Sequence, residues 1–318
     1  MGAFGAKRGE GKALKYHAVV SIGTNSTRVL VAADENGKLV PVFHHSIGTR
    51  LGANLKDAGA LDPEGVARTL AVIDQYANEL RAYDTTLGAI ATSAMRRASN
   101  GETFRRAVQQ HLGVQLEILA GEREAALSFR GATANRSFPG ALVGVLDVGG
   151  GSAEYAYGVE GTMEGSVSCE IGAVRLSEAI PALLGATVHS DIPTLEAEAR
   201  AHARERLSPL EAFPLPAQVL VVGGTMFNAA AIFADRERED VDGIVLTRHA
   251  LAHLARRFLA MDIATRRAQP RISPQRADIF PAGLLIVDEA LALLGVSECT
   301  VSQLDLLYGY LIERKGAS

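Results

Sequence analysis

Cysteine is almost missing from this chain. Cys169 and Cys299 are the only two among 318 residues. They stand far apart, and neither lies in a Cys-x-x-Cys or His-rich setting. A disulfide framework and a zinc site are therefore both excluded as organising principles. No apolar run is long enough to span a bilayer, so a membrane partner is not expected. The segment from Met1 to Tyr16 is glycine- and lysine-rich with no apolar core, which reads as a floppy tail rather than a signal peptide or anchor. A large excess of either charge is missing as well. Lys and Arg total 32 against 36 Asp and Glu, a formal net charge of −4. That balance argues against a protein that coats nucleic acid. It leaves room for a small polyanionic substrate, because local arginines govern the field of a cleft more than the total does. Together these features point to a cytoplasmic protein.

What the chain has in quantity is apolar sequence, 47% of it, enough for two domains to bury a core each. The expected division is a tail over 1–16, a first domain over 17–133 and a second over 134–318, with the C-terminal helix able to pack back on the first. The linker is expected at about Gly131 to Pro139.

The most informative phrase is Asp147-Val148-Gly149-Gly150-Gly151-Ser152-Ala153-Glu154. It follows Ala141 to Leu146, which reads as a buried strand. Three successive glycines permit a tight turn and a close approach to the backbone. Successive amides in such a turn can cradle an anion. Asp147 and Glu154 are hard oxygen donors of the kind that hold Mg²⁺ beside phosphates. Taken alone, the phrase also fits a glycine-rich turn with two solvated acids.

The pattern occurs twice. Val19 to Arg28 aligns without gaps on Val145 to Glu154, pairing Ser21 with Asp147, Gly23 with Gly149 and Ser26 with Ser152. Each copy continues into a second strand, a turn and a third strand. Each third strand leads into a related phrase, Ile47-Gly48-Thr49-Arg50-Leu51 and Ile171-Gly172-Ala173-Val174-Arg175-Leu176. The order reads as a duplicated unit, two related α/β domains facing each other across a cleft.

Strand and helix signals then alternate. Asp62 and Pro63 mark a helix start. Leu87 to Thr92 reads as a strand ending in Ser93-Ala94-Met95-Arg96-Arg97. Val114 to Leu119 is a strand that runs into Ala120-Gly121-Glu122-Arg123-Glu124, a loop opening a helix. Val219 to Val222 is a buried strand followed at once by Gly223-Gly224-Thr225. Ser273 and Pro274 are expected to begin a further helix, with Ser273 capping.

These phrases together resemble the exopolyphosphatase/guanosine pentaphosphate phosphatase family, within the superfamily of actin-like (ribonuclease H-like) ATPase folds. The matching stretches are Ile22 to Arg28, Ala91 to Arg96, Gly121 to Ala125, Asp147 to Ser152, Gly223 to Thr225 and Ser273 to Asp278, in the family's order. The resemblance implies two actin-like domains and hydrolysis of a terminal phosphate from inorganic polyphosphate or guanosine pentaphosphate. Such chemistry needs an in-line water, a base and positive charge on the transferring oxygens. The family's base falls on Glu124, with Glu122 as the neighbouring alternative. On its own, Glu124 also reads as an ordinary first-turn glutamate favoured by the helix dipole. Asp147 and Glu154 would hold Mg²⁺. The amides of Gly149, Gly150 and Gly151 and the Ser152 hydroxyl would take phosphate oxygens. Thr24, Asn25, Ser26 and Arg28 would serve phosphate from the first domain, with Ser93 and Arg96, whose planar guanidinium matches phosphate bidentately. Gly224 and Thr225 would close the floor of the site. A homodimer is suggested by the resemblance alone.

The chain departs from the family at Ser21, where aspartate is expected. Serine brings no negative charge to a cation. This opens a second expectation, a catalytically weakened protein that binds guanosine tetraphosphate or a related nucleotide. A sugar or acetate kinase of the same superfamily is a third, and the family-specific phrases disfavour it.

Overall fold

The computed structural model describes residues 15–55, 59–185 and 191–316. Most of the expected tail lies outside the described residues, and Tyr16 already opens the first strand. The chain divides into two units. Unit 1 comprises residues 1–120 and 307–318, and unit 2 comprises residues 121–306.

Unit 1 contains β1 (Tyr16–Ile22), β2 (Ser26–Glu35), β3 (Lys38–Gly48), α1 (Pro63–Leu80), β4 (Thr85–Ala91), α2 (Ser93–Arg97), α3 (Gly101–Leu112) and β5 (Leu116–Ile118). Unit 2 contains α4 (Gly121–Thr133), β6 (Leu142–Val148), β7 (Ala153–Val159), β8 (Thr162–Cys169), α5 (Ala173–Ala179), α6 (Ile192–Leu207), β9 (Gln218–Val222), α7 (Gly224–Ala234), β10 (Val245–Thr247), α8 (Arg248–Leu259), α9 (Ile263–Arg267), α10 (Phe280–Leu293) and β11 (Glu298–Val301). The last helix, α11 (Leu306–Gly316), packs in unit 1.

The duplication is visible in the sheets. The first has the order β3-β2-β1-β4-β5 and the second β8-β7-β6-β9-β11-β10. In each, an antiparallel three-strand meander feeds a parallel strand, β1 beside β4 and β6 beside β9. The gap-free alignment of the two motifs holds in register, since Ser21 pairs with Arg28 as Asp147 pairs with Glu154. The loops close alike as well. The amide of Gly23 donates to the Ser26 carbonyl at 2.9 Å, and that of Gly149 to the Ser152 carbonyl at 3.0 Å. This is the duplicated α/β architecture of actin-like proteins.

Local chemistry explains most elements. Asp62 caps α1, its carboxylate accepting from the Gly65 amide at 3.0 Å, with Pro63 at the first helical position. Thr247 caps α8 in the same way. The core of unit 1 packs Val20, Ile22, Ile73, Tyr76 and Phe104, and that of unit 2 packs Leu146, Val148, Tyr155 and most of α10. Burying each such large side chain stabilises by about 1.5–3 kcal/mol.

Three expectations are corrected. The boundary falls at 120/121 rather than 133/134. Ala125, Phe129 and Ala132 of α4 pack against Val143, Val145 and Ala156 of β6 and β7, so the helix belongs to unit 2. It also runs through Gly131 to Thr133, shortening the linker. Ser273 does not start a helix, because Ser273 to Ile279 form successive turns before α10 begins at Phe280. Tertiary hydrogen bonds hold them there. The Ser273 amide donates to Asn228 Oδ1 at 3.0 Å. The fully buried Arg266 donates to the carbonyls of Leu183 at 2.6 Å, Phe258 at 2.7 Å and Asp278 at 3.4 Å.

The C-terminal helix returns to unit 1 through polar contacts. Tyr308 donates its hydroxyl proton to the Leu39 carbonyl at 2.6 Å, and Lys315 meets Asp34 at 2.9 Å. Among the described residues no helix is long and apolar enough to cross a membrane.

Candidate active site

In unit 2 the buried strand β6 delivers Asp147 at its end, and β7 returns from the glycine loop with Glu154 directly opposite. Glu154 pairs in turn with Ser168 on β8. The three side chains thus form one row across the sheet. Gly172 seats the loop, because a Cβ there would stand 2.5 Å from the Gly150 oxygen and the Gly151 nitrogen.

Helix α4 lies on this side of the sheet. Its Glu124, in the first turn, is buried at 7% exposure, whereas Glu122 is exposed. Glu154 is 1% exposed, and its Oε1 accepts from the Ser168 hydroxyl at 2.8 Å. Burial pushes the Glu154 carboxyl well above the ordinary carboxylate range, and the charges of Glu124 and Asp147 push it the same way. Glu124 and Asp147 thus both bear on Glu154. Ser152 hydrogen-bonds Glu154 as well, so this hydroxyl serves a carboxylate in addition to any anion. Asp147 Oδ2 accepts from the Ser128 hydroxyl at 2.8 Å.

The start of α7 completes the group. Gly223 adopts φ +96°, a conformation that favours glycine, and a Cβ there would stand 3.2 Å from Asp147 Oδ1. Beside it, Gly224 lies under the Arg276 guanidinium, which a Cβ there would approach to 2.6 Å. The structure thus sets Asp147, Glu154, Ser152 and the Gly149–Gly151 loop beside Glu124 of α4 and Gly224 at the start of α7, whereas the Thr225 hydroxyl lies against Gly283 of α10. It adds Ser128, Ser168 and Arg276, which the sequence reading did not assign to the site. For Arg276 a signal existed, an arginine inside the matched Ser273-to-Asp278 phrase.

Unit 1 holds the second set. Parallel pairing of Ile22 with Ala91 sets the ends of β1 and β4 side by side, and with them the Thr24-Asn25-Ser26 loop and Ser93. Thr24 Oγ1, Asn25 Oδ1 and Ser93 Oγ are buried with no hydrogen-bond partner among the described residues, as is Thr225 Oγ1 in unit 2. Buried polar atoms of this kind are rare unless a ligand or solvent uses them. Asn25 Nδ2 donates to Ser26 Oγ at 3.2 Å. Arg96 is anchored by donating to the Leu119 carbonyl at 2.9 Å. Arg28 lies on β2, half-buried, in the cross-strand position that Glu154 occupies in unit 2.

The model of the Ppx/GppA phosphatase family matches residues 30–315. The chain belongs to that family. Exopolyphosphatase 2 of Mycobacterium tuberculosis is 34% identical, over 96% of this chain and all of the relative. The crystal structure of an exopolyphosphatase-like protein matches with a TM-score of 0.84 at 26% identity, covering 95% of this chain and 99% of the other. The Ppx/GppA family member of Aquifex aeolicus matches with a TM-score of 0.77 at 24% identity, over 96% and 98% of the two chains, which bears on the fold.

Mg²⁺ is the cofactor expected from the sequence, and the carboxylates at the glycine loop are the donors against which that expectation is weighed. Among the described residues no three His, Cys, Asp or Glu side chains close a ready-made metal cage. Mg²⁺ rarely uses such cages. It keeps several waters and binds one or two carboxylates plus substrate phosphates. Asp147 and Glu154, adjacent at the glycine loop, supply that number.

Proposed function

We propose that this protein is a Mg²⁺-dependent phosphoanhydride hydrolase that releases terminal phosphate from inorganic polyphosphate or guanosine pentaphosphate. The observation that carries the reading is the pairing of Asp147 with Glu154 beside the glycine loop, with the buried Glu124 of α4 bearing on Glu154, in a Ppx/GppA chain. The relative named exopolyphosphatase 2, similar from end to end, supports polyphosphate as substrate.

In this mechanism the amides of Gly149 to Gly151 take oxygens of the terminal phosphates. Glu124 accepts a proton from the attacking water and aligns it with the phosphorus. Burial keeps that carboxylate away from bulk solvent. Mg²⁺, held by Asp147 and Glu154, would neutralise charge on the phosphate oxygens. The orphaned polar atoms of Thr24, Asn25 and Ser93 would serve phosphate oxygens or their waters. Arg28, Ser26 and Arg96 of unit 1 would offer further donors and positive charge to a polyanionic substrate.

The test is phosphate release from both substrates, with Mg²⁺ and with chelator. Glu124→Gln should lower turnover by about 10²–10⁴-fold with the fold retained. Unchanged turnover would remove Glu124 as the base.

Ser21 favours a second reading, a nucleotide-binding protein with weak catalysis. It is buried, and it stands where Asp147 stands in the other copy. Tight binding of guanosine tetraphosphate by calorimetry, with no turnover in saturating Mg²⁺, would select this reading. We extend the proposal to a cytoplasmic homodimer. Both thiols are buried and free, as suits a reducing compartment, and light scattering tests the dimer.

A further inference from the structure

The two carboxylates assigned to the metal are each gripped by a serine, and both serines bear on α4. Ser128 follows Glu124 by four residues, one turn along the same helix face. It is 1% exposed, and its hydroxyl donates to Asp147 Oδ2 at 2.8 Å. Ser168 donates to Glu154 Oε1 at 2.8 Å from the next strand. A Cβ on Gly121 would stand 2.5 Å from Ser168 Oγ, so the first residue of α4 rests directly on that serine. The helix that carries Glu124 is therefore tied to Asp147 through its own hydroxyl and seated on the residue that holds Glu154.

We propose that Ser128 and Ser168 are positioning residues that lock Asp147 and Glu154 in orientation and in register with Glu124. The physical need is specific. Rotation of a carboxylate about its last torsion is soft. A hydroxyl on one oxygen fixes the plane and aims the other. For Asp147 the second oxygen, Oδ1, then faces Gly223 at the start of α7. Alanine at either position leaves the carboxylate in place but lets its plane turn. Groups that orient metal-binding side chains are typically worth 10–100-fold in metal affinity or activity. The inference rests on the proposed function for the role of Asp147 and Glu154, and its test separates the two.

Full-length wild type, Ser128→Ala, Ser168→Ala and Ser128→Thr are titrated with Mg²⁺ in a calorimeter. Melting in chelator and phosphate release from polyphosphate are measured on the same samples. Each alanine variant should bind Mg²⁺ about 10–100-fold more weakly and lose kcat rather than KM, with an unchanged melting temperature. Ser128→Thr, which keeps the hydroxyl, should recover much of the loss. Wild-type Mg²⁺ affinity and kcat in both alanine variants would overturn the proposal while leaving the hydrolase reading intact. So would losses that merely follow a fall in melting temperature. Weakened Mg²⁺ binding in the variants of a wild type that releases no phosphate would support the positioning role and sink the hydrolase. A wild type that neither binds Mg²⁺ nor releases phosphate would overturn both.

Discussion

Gly172→Ala places one methyl group against the glycine loop. The backbone at Gly172 is extended, φ −152° and ψ 171°, so alanine brings no conformational strain. The new Cβ would stand 2.5 Å from the Gly150 oxygen and from the Gly151 nitrogen. These are backbone atoms and cannot rotate away, so the loop or the start of α5 must shift. Overpacking of this kind costs about 1–3 kcal/mol, and rigid backbone neighbours put the expected value near the top of that range. For a unit of this size each kcal/mol lowers the melting temperature by about 2–4 °C, which gives a fall of about 6–12 °C. Activity should suffer more, because a shift of about 1 Å in a positioning element can cost on the order of 10²-fold in rate. Circular dichroism melts and phosphate release on the same preparation measure both. Gly101→Ala is the control. It lies in the first turn of α3, and its Cβ would find only ordinary contacts at 3.5 Å. That variant should match wild type or gain up to about 1 kcal/mol. The reasoning fails if Gly172→Ala melts within about 2 °C of wild type and turns over at the wild-type rate.

Ser21→Asp restores a carboxylate to the row that already holds Arg28 in unit 1. It should lower the Mg²⁺ concentration that half-saturates phosphate release, and an unmoved Mg²⁺ dependence would dismiss Ser21 as the cause of any weakness. Arg200 joins three buried acids, with Glu196 at 2.9 Å, Asp288 at 2.5 Å and Glu289 at 2.8 Å. Arg200→Met should cost about 3–5 kcal/mol at neutral pH, read by urea denaturation. The pH dependence has a definite sign. Burial alone would raise the Glu196 carboxyl, but hydrogen bonds from Arg256 and Arg200 hold it below its ordinary 4.5. Its stabilising contribution is then present above pH 4.5 and is lost as the pH falls through the folded-state value. The part of the Arg200→Met deficit that comes from Glu196 should therefore persist from pH 7 down to about 4.5 and shrink only below it, as Glu196 protonates in the wild type. A deficit that grows on acidification would contradict the network.

The sequence carried the architecture further than the details of the site. The two glycine loops and their flanking strands are legible because strand alternation and turn chemistry are local properties, whereas the Ser21–Arg28 and Asp147–Glu154 pairings emerge only with the sheets. The cap at Asp62 was legible for the same reason. The Ser273-Pro274 helix signal is outweighed by tertiary hydrogen bonds, from the Ser273 amide to Asn228 Oδ1, distant in sequence, and from Arg266 to the Asp278 carbonyl. The domain boundary was misread because α4 follows strand β5 of unit 1, yet its apolar face fits β6 and β7.

By itself, then, the sequence determined the repeated loop, its family and the acids that ride on it, since each is written in a contiguous phrase. Only the tertiary structure decided what surrounds those acids. It buried Glu124 and Glu154, set Ser128 and Ser168 on the two carboxylates, and laid Arg276 against Gly224. Those relations join residues from separate strands, helices and turns. Desolvation and hydrogen-bond geometry depend on how elements pack, which no local pattern records.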